Sequence, residues 1–231
     1  MRFAVIPTRN RPDDLIRCIE SIAGQVDGII IVNNGDKELD AIAVEHICDV
    51  METSTSDTFF CKLHRPMQPP NLSFLWNEGI RKARDFALVN EGEEAWVAVL
   101  NDDAIVPVGW FDAVESAMKT TGAVAGSSGG PQRGWYHLTA PIRHVGDRLQ
   151  GWAFIIGPTG PLANEDLRWW FGDTDIDMRA RVTGGTVLIS GYEVQNTRAN
   201  STTVGALAEQ AGRDRATYES IWGPIRWWPG G

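Results

Sequence analysis

Ala95-Trp-Val-Ala-Val-Leu-Asn-Asp-Asp103 carries the architecture in nine residues: an apolar run, then at once an amide and two carboxylates. A short apolar run closed by polar residues suits a strand buried on both faces. Upstream, residues 73–89 place Trp76, Ile80, Ala83 and Ala87 on one helical face, with Arg81, Lys82, Arg84 and Asp85 mostly elsewhere. Downstream, residues 107–119 are expected to form a helix. Nearer the N-terminus, Phe3-Ala-Val-Ile6 reads as a strand that ends at Pro7 and the polar turn Thr8-Arg-Asn-Arg11. Pro12, Asp13 and Asp14 suit a helix start, because proline fits the first turn and carboxylates fit the positive end. Leu15, Ile19 and Ile22 keep helical spacing as far as Gly24. Gly28-Ile-Ile-Ile-Val32 is a second buried strand, stopped by the turn signal Asn33-Asn-Gly-Asp36. A helix over residues 38–45 and a strand over residues 47–51 are expected next.

This alternation predicts an α/β fold with substantial parallel sheet and helices on both faces. Ligands of such sheets bind beyond the carboxyl ends of the strands, where residues 8–11, 33–36 and 101–103 all fall. In the second half the alternation lapses. Strands are expected over residues 151–157 and 186–189, a turn with a short helix over 158–166, and helices over 173–181 and 203–220. The expected whole is a Rossmann-like half with a mixed sheet, continuous with a less regular, partly antiparallel half. The Gly126-Ser-Ser-Gly-Gly130 stretch reads as a mobile loop, since no Gly-Lys-Ser/Thr follows it to make a phosphate cradle.

A chain of 231 residues fits one domain with a sizeable core. A net charge of −9 repels nucleic acid and anionic membranes, so nucleic-acid binding is not expected, and a phosphorylated ligand needs a local cation. No apolar run comes near the roughly 18 residues that cross a bilayer, so no transmembrane segment is expected. Met1 to Pro7 turns polar too soon for a signal peptide, and the 3 cysteines lack metal-ligand spacing. A cytoplasmic location is the expectation.

Two acidic motifs carry the chemistry. Asn101-Asp-Asp103 follows a strand end, where carboxylates can hold a hard divalent cation that also touches phosphate oxygens. In Trp169-Trp-Phe-Gly-Asp-Thr-Asp-Ile-Asp-Met-Arg179 three carboxylates recur at every second residue. Helix capping needs only one of them, so a base or a metal cluster is expected. The 4 histidines show no paired spacing. Among the 10 tryptophans, Trp76, Trp96 and Trp110 suit the core, whereas Trp135, Trp152, Trp169 and Trp170 suit ring stacking on a ligand.

In order along the chain, Ala4 to Pro12, Ile30 to Asp36, Asn77-Glu-Gly-Ile80, Leu100 to Asp103 and Phe171 to Arg179 resemble the motifs of a family-2 glycosyltransferase with the GT-A fold. The resemblance covers about residues 3–195. It implies a metal-dependent, inverting transfer of a hexose-type sugar from a nucleoside-diphosphate donor, UDP-sugar favoured, to an acceptor hydroxyl on a glycan, protein or lipid. The cofactor would be Mn²⁺ or Mg²⁺. By position, residues 1–103 would be the donor half and 104–199 the acceptor half, with a C-terminal helix and Trp-rich tail over 200–231.

Residue by residue, the resemblance puts Thr8, Arg9, Arg11, Asn33, Asn77 and Asp102 beside the donor. Asp103 becomes the metal ligand with help from Asn101 or Asp102. Asp175 matches the catalytic base if Asp175 and Asp177 anchor the motif, and Asp173 does so if Phe171 and Gly172 anchor it; Asp175 is preferred. The chain departs from the family at Asn33 and Asn101, where Asp is usual, and at Gln195 and Asn196, near which the family often places a histidine. The alternative reading is a non-catalytic carbohydrate-binding or degenerate transferase-like protein. A nucleotidyltransferase is disfavoured, because Pro7-Thr-Arg-Asn-Arg11 lacks a glycine-rich loop.

Overall fold

The structure, a computed structural model, describes residues 1–39, 41–54, 59–90, 93–130, 133–144, 146–197 and 206–225. In the first half β1 (Arg2–Thr8), α1 (Pro12–Ile22), β2 (Gly28–Asn33), α2 (Ala41–Ser54), β3 (Phe59–His64), α3 (Leu72–Asn90) and β4 (Trp96–Leu100) alternate strictly. There follow β5 (Ala104–Ile105), α4 (Trp110–Thr121), β6 (Ala125–Ser128), β7 (Trp135–Leu138) and β8 (Ala153–Ile156). The chain closes with α5 (Gly172–Thr183), β9 (Thr186–Ile189), β10 (Gln195–Asn196) and α6 (Ala206–Trp222).

The main sheet has the order β3-β2-β1-β4-β8-β6-β9-β7. Strands β1 to β4 are mutually parallel, with Val5 opposite both Ile30 and Val99. β8 runs against both β4 and β6, β9 runs with β6, and β7 closes the edge antiparallel to β9. β5 and β10 form a separate antiparallel ribbon.

The apolar runs are continuous because both faces of the sheet are covered. Ala4, Ile6, Ile29, Ile31, Ala98 and Leu100 face Leu15 and Ile19 of α1 and Phe111 and Met118 of α4. The alternate residues Phe3, Val5, Ile30, Val32, Val97 and Val99 face Trp76, Ile80 and Ala83 of α3 and Ile176 and Ala180 of α5. Gly79 lets α3 approach β1: a Cβ there would lie 2.2 Å from Val5 Cγ1. A third cluster, with Leu167, Phe171, Met178, Tyr218 and Ile225, seats α6.

Three expectations are corrected. Residues 47–51 are helical within α2, since Ala43 and Ile47 are buried and Val50 packs beside them at helical spacing. The strand comes later as β3, a half-buried sheet edge. Residues 158–166 contain no helix. Of the Gly126–Gly130 stretch expected as a mobile loop, residues 126–128 belong to the fully buried inner strand β6, where Gly126 leaves room for Val114, Val187 and Met118. The expected start of the last helix at residue 203 and the Trp227-Trp228 tail lie outside the described residues.

Candidate functional site

Because β2, β1 and β4 are adjacent and parallel, their carboxyl ends open on one edge of the sheet. A cavity of about 290 Å³ lies there. One side is polar, formed by Thr8, Arg9, Arg11, Asn34 and Asn101 to Asp103. The other is aromatic, formed by Trp76, Trp152, Trp169, Trp170 and Phe171, with Asp173 among them.

Asp102 is the hub of the polar side. Its carboxylate is buried, and it accepts from the Thr8 hydroxyl at 2.9 Å and from Arg11 Nη1 at 3.4 Å. Burial pushes this carboxyl above its ordinary value; the Thr8 hydrogen bond and the Arg11 charge pull it back, and the charge of Asp103 adds to the rise. Asp103, also buried, lines the cavity, and its main-chain carbonyl accepts from both the N–H and the hydroxyl of Thr197 at 3.1 Å. The Asn101 peptide is fixed from two sides. Its N–H donates to the Trp152 carbonyl at 2.9 Å, and its carbonyl accepts from Cys18 Sγ at 3.4 Å. Burial pushes that thiol far above its ordinary value, so Cys18 stays a neutral donor.

Arg9 lines the cavity and pairs at 3.7 Å with Asp36. Asn33, expected beside the donor base, is engaged within its own loop. Its amide donates to the Lys37 carbonyl at 2.9 Å and accepts from the Gly35 N–H at 2.8 Å. Its neighbour Asn34 lines the cavity instead, tied to the Arg65 carbonyl at 2.7 Å. Asn77, expected in the same role, is buried and clamps α3 to the chain at Ala163 and Glu165, with bonds of 2.8 to 2.9 Å. Neither Asn33 nor Asn77 is a lining residue.

The carboxylates of α5 part company. The helix begins after Phe171, whose φ of +65° is unusual for a bulky side chain. Asp173, in the first turn, reaches the cavity and meets Arg148 Nη1 at 2.7 Å. Gly151 makes space for it: a Cβ there would lie 2.6 Å from Asp173 Oδ2. Asp175, the preferred base, points the other way. It is 0% exposed, meets Arg179 Nε at 2.7 Å and accepts from Trp222 Nε1 at 2.8 Å. Two residues turn a helix by about 200°, so one of the two carboxylates must face away from the site. Asp177 is bound within the core by Arg181, Thr186 and the Leu149 N–H.

Arg148 was not legible as a site residue, being a lone arginine in a loop; Asn34 carried no signal beyond its turn. Trp152, Trp169 and Trp170 reach the cavity as expected of stacking residues, whereas Trp135 lies exposed on the edge strand β7. Trp76 and Trp110 are core, and Trp96 is half-buried beneath Lys119. No group of three or more His, Cys, Asp or Glu side chains is placed to hold a metal among the described residues.

A family model described as glycosyl transferase family 2 matches residues 3–192. Among solved structures, TarS of S. aureus superposes with a TM-score of 0.56 at 13% identity, over 83% of this chain and 36% of TarS. TarS 1–349 gives 0.55 at 12% identity, over 83% of this chain and 59% of that one. The same fragment in complex with UDP gives 0.56 at 12%, with the same coverage. The chain thus spans less than two thirds of these structures, and at such identity the likeness is one of fold. No curated protein matches the chain in sequence. With the family model covering most of its length, and with this sheet order and strand-end cavity, the chain belongs to glycosyltransferase family 2 and has the GT-A fold.

Proposed function

We propose that the chain transfers a hexose-type sugar, with inversion, from a nucleoside-diphosphate donor to an acceptor hydroxyl, with UDP-sugar the favoured donor. One observation carries this reading. A single cavity receives Thr8, Arg9, Arg11, Asn101 and Asp103 on one side and Asp173 on the other. The UDP in the TarS complex supports the choice of donor base.

The polar side suits a diphosphate. Arg9 and Arg11 bring positive charge into a chain of net charge −9, and Asp102 orients Arg11. Asp103 and Asn101 offer hard oxygen donors that fit Mn²⁺ or Mg²⁺, with phosphate and water oxygens completing the shell. When bound, such an ion would offset the charge that develops on the leaving diphosphate. Asp102, held by Thr8 and Arg11, braces that loop.

On the aromatic side we assign the base to Asp173, the α5 carboxylate that lines the cavity. The acceptor oxygen attacks the anomeric carbon, the bond from that carbon to the diphosphate oxygen breaks, and the acceptor proton passes to Asp173. Arg148 and Gly151 fix where that carboxylate stands. The tryptophans around it exclude water, which would otherwise compete as acceptor.

Thermal unfolding with UDP, GDP and TDP, each with and without Mn²⁺, tests the reading. A nucleotide at about a hundred times its dissociation constant adds about 2.7 kcal/mol, a rise of roughly 5–11 °C for a chain of this size. A metal-dependent rise with UDP is expected. No rise with any nucleotide in a folded sample would return the chain to the carbohydrate-binding or degenerate reading.

A further inference from the structure

The aromatic side of the cavity is held by a helix that lies beyond the family-matched residues 3–192. Asp214 of α6 is 0% exposed, yet it packs against main chain. Its carboxylate accepts three consecutive N–H groups, those of Arg168 at 3.2 Å, Trp169 at 2.7 Å and Trp170 at 2.8 Å. The Gln210 amide adds a fourth bond at 2.6 Å. On the opposite edge of the same loop, the carbonyls of Leu167 and Arg168 accept from the Ser73 hydroxyl at 2.5 Å and the Leu72 N–H at 2.6 Å at the start of α3. The loop is therefore gripped along both edges, and its residues Trp169 and Trp170 line the cavity, Trp170 also packing against the cluster that seats α6. A buried carboxylate costs several kcal/mol to desolvate, and several charge-assisted bonds are needed to offset that. Capping a single turn does not require so many.

We propose that the acceptor is a saccharide laid against Trp169 and Trp170, and that Asp214 is the positioning residue that holds this platform. The inference rests on the transferase reading of the cavity. Among the described residues that line the cavity beside these rings, the charged ones are Asp173 and Arg148, which pair with each other at 2.7 Å and offset one another there. A neutral acceptor with apolar faces and many hydroxyls matches it: sugar C–H faces pack on indole rings while one hydroxyl meets Asp173. The rings are fixed before the acceptor arrives, so their ordering is not charged against binding.

Two titrations separate this inference from the reading beneath it. UDP with Mn²⁺, followed by calorimetry, reports the donor side. A printed glycan array, probed with the labelled protein with and without UDP and Mn²⁺, reports the acceptor side. Fluorescence titration and steady-state kinetics on the best-bound glycan then give its affinity and KM. Wild type is expected to bind a defined group of glycans. Asp214→Asn turns an acceptor of three N–H groups into a partial donor, and it should weaken that glycan about tenfold or more while leaving UDP affinity within about twofold. It should raise KM for the acceptor more than it lowers kcat. Trp169→Ala, in a half-exposed side chain, should give the same split and carries the test if Asp214→Asn does not fold. Loss of UDP binding in wild type would strike the donor reading. UDP binding with no glycan on the array, or with 4-nitrophenol bound in place of any glycan, would overturn the saccharide platform. An equal loss of UDP and glycan affinity in Asp214→Asn would reduce Asp214 to a scaffold residue.

Discussion

Exchanging Asp173 and Asp175 for asparagine, one at a time, separates chemistry from architecture on a single turn of helix. Asp173→Asn keeps the shape and an oxygen for Arg148 but removes the proton acceptor. A general base contributes about 10²–10⁴-fold, or roughly 3–5.5 kcal/mol of barrier. Transfer should fall by that factor with donor binding nearly unchanged, and the melting point should drop as well, because the Arg148 side chain, only 18% exposed, loses its charged partner. Asp175 does not itself line the cavity. Asp175→Asn loses the charge that Arg179 meets at 2.7 Å and sets an amide against that guanidinium. The Arg179 side chain is 41% exposed and can rehydrate, so the ion pair itself is discounted. What is lost is about one charge-assisted bond at a buried site, about 1.5–3 kcal/mol. At roughly 2–4 °C per kcal/mol the midpoint should drop by about 3–12 °C. Product formation from a UDP-sugar, measured below each variant's melting range, is the assay. Wild-type turnover in Asp173→Asn, or lost turnover with an unchanged melting curve in Asp175→Asn, would refute the assignment and restore Asp175 as the base.

Gly151→Ala puts a methyl group 2.6 Å from Asp173 Oδ2, so kcat should fall with little change in urea midpoint or donor affinity. Gly79→Ala forces a Cβ to within 2.2 Å of Val5 Cγ1, in a core that cannot yield; it should cost about 1–3 kcal/mol in urea unfolding. Burial, reinforced by the charges of Asp175, Asp177 and Asp173, raises the Tyr218 phenol above its ordinary value. Its folded pKa thus exceeds its unfolded one, so the associated stability is complete below the unfolded value, about 10, and is lost as pH rises beyond it. Melting points should therefore decline on the alkaline side, and Tyr218→Phe should flatten that decline.

The first half was largely legible because its central strands are buried on both faces and its helices α1 and α3 keep an apolar stripe. β1, β2, β4 and α3 stand where the apolar runs and the Trp76–Ala87 spacing put them. The misses have common causes. β3 is a half-buried edge, so no apolar run announced it, and residues 47–51 are apolar enough to pass for a strand unless the helical spacing of 43, 47 and 50 is weighed. β6 is built from Ala, Gly and Ser, which read as loop until Val114 and Val187 are seen closing on Gly126. At the site, the residues after β1 and β4 could be placed from strand ends alone. The choice between Asp173 and Asp175 could not. It depends on the phase of α5, which is set by the backbone of Phe171 and by what lies on each side of the helix. Arg148 and Asp214 meet their partners through loops whose path no local pattern encodes.

Phe171 marks a hazard for protein engineering. A non-glycine residue in the left-handed region carries a strain of about 1–3 kcal/mol, so glycine or asparagine there would relax the chain. The ring, however, packs 5.3 Å from Tyr218 and borders the cavity. Deleting a buried phenyl costs about 3–5 kcal/mol, more than the torsion would give back, so a library screened for heat resistance should keep Phe171, and with it the contact that joins the last helix to the wall of the site. Packing holds this residue in place against the preference of its own backbone.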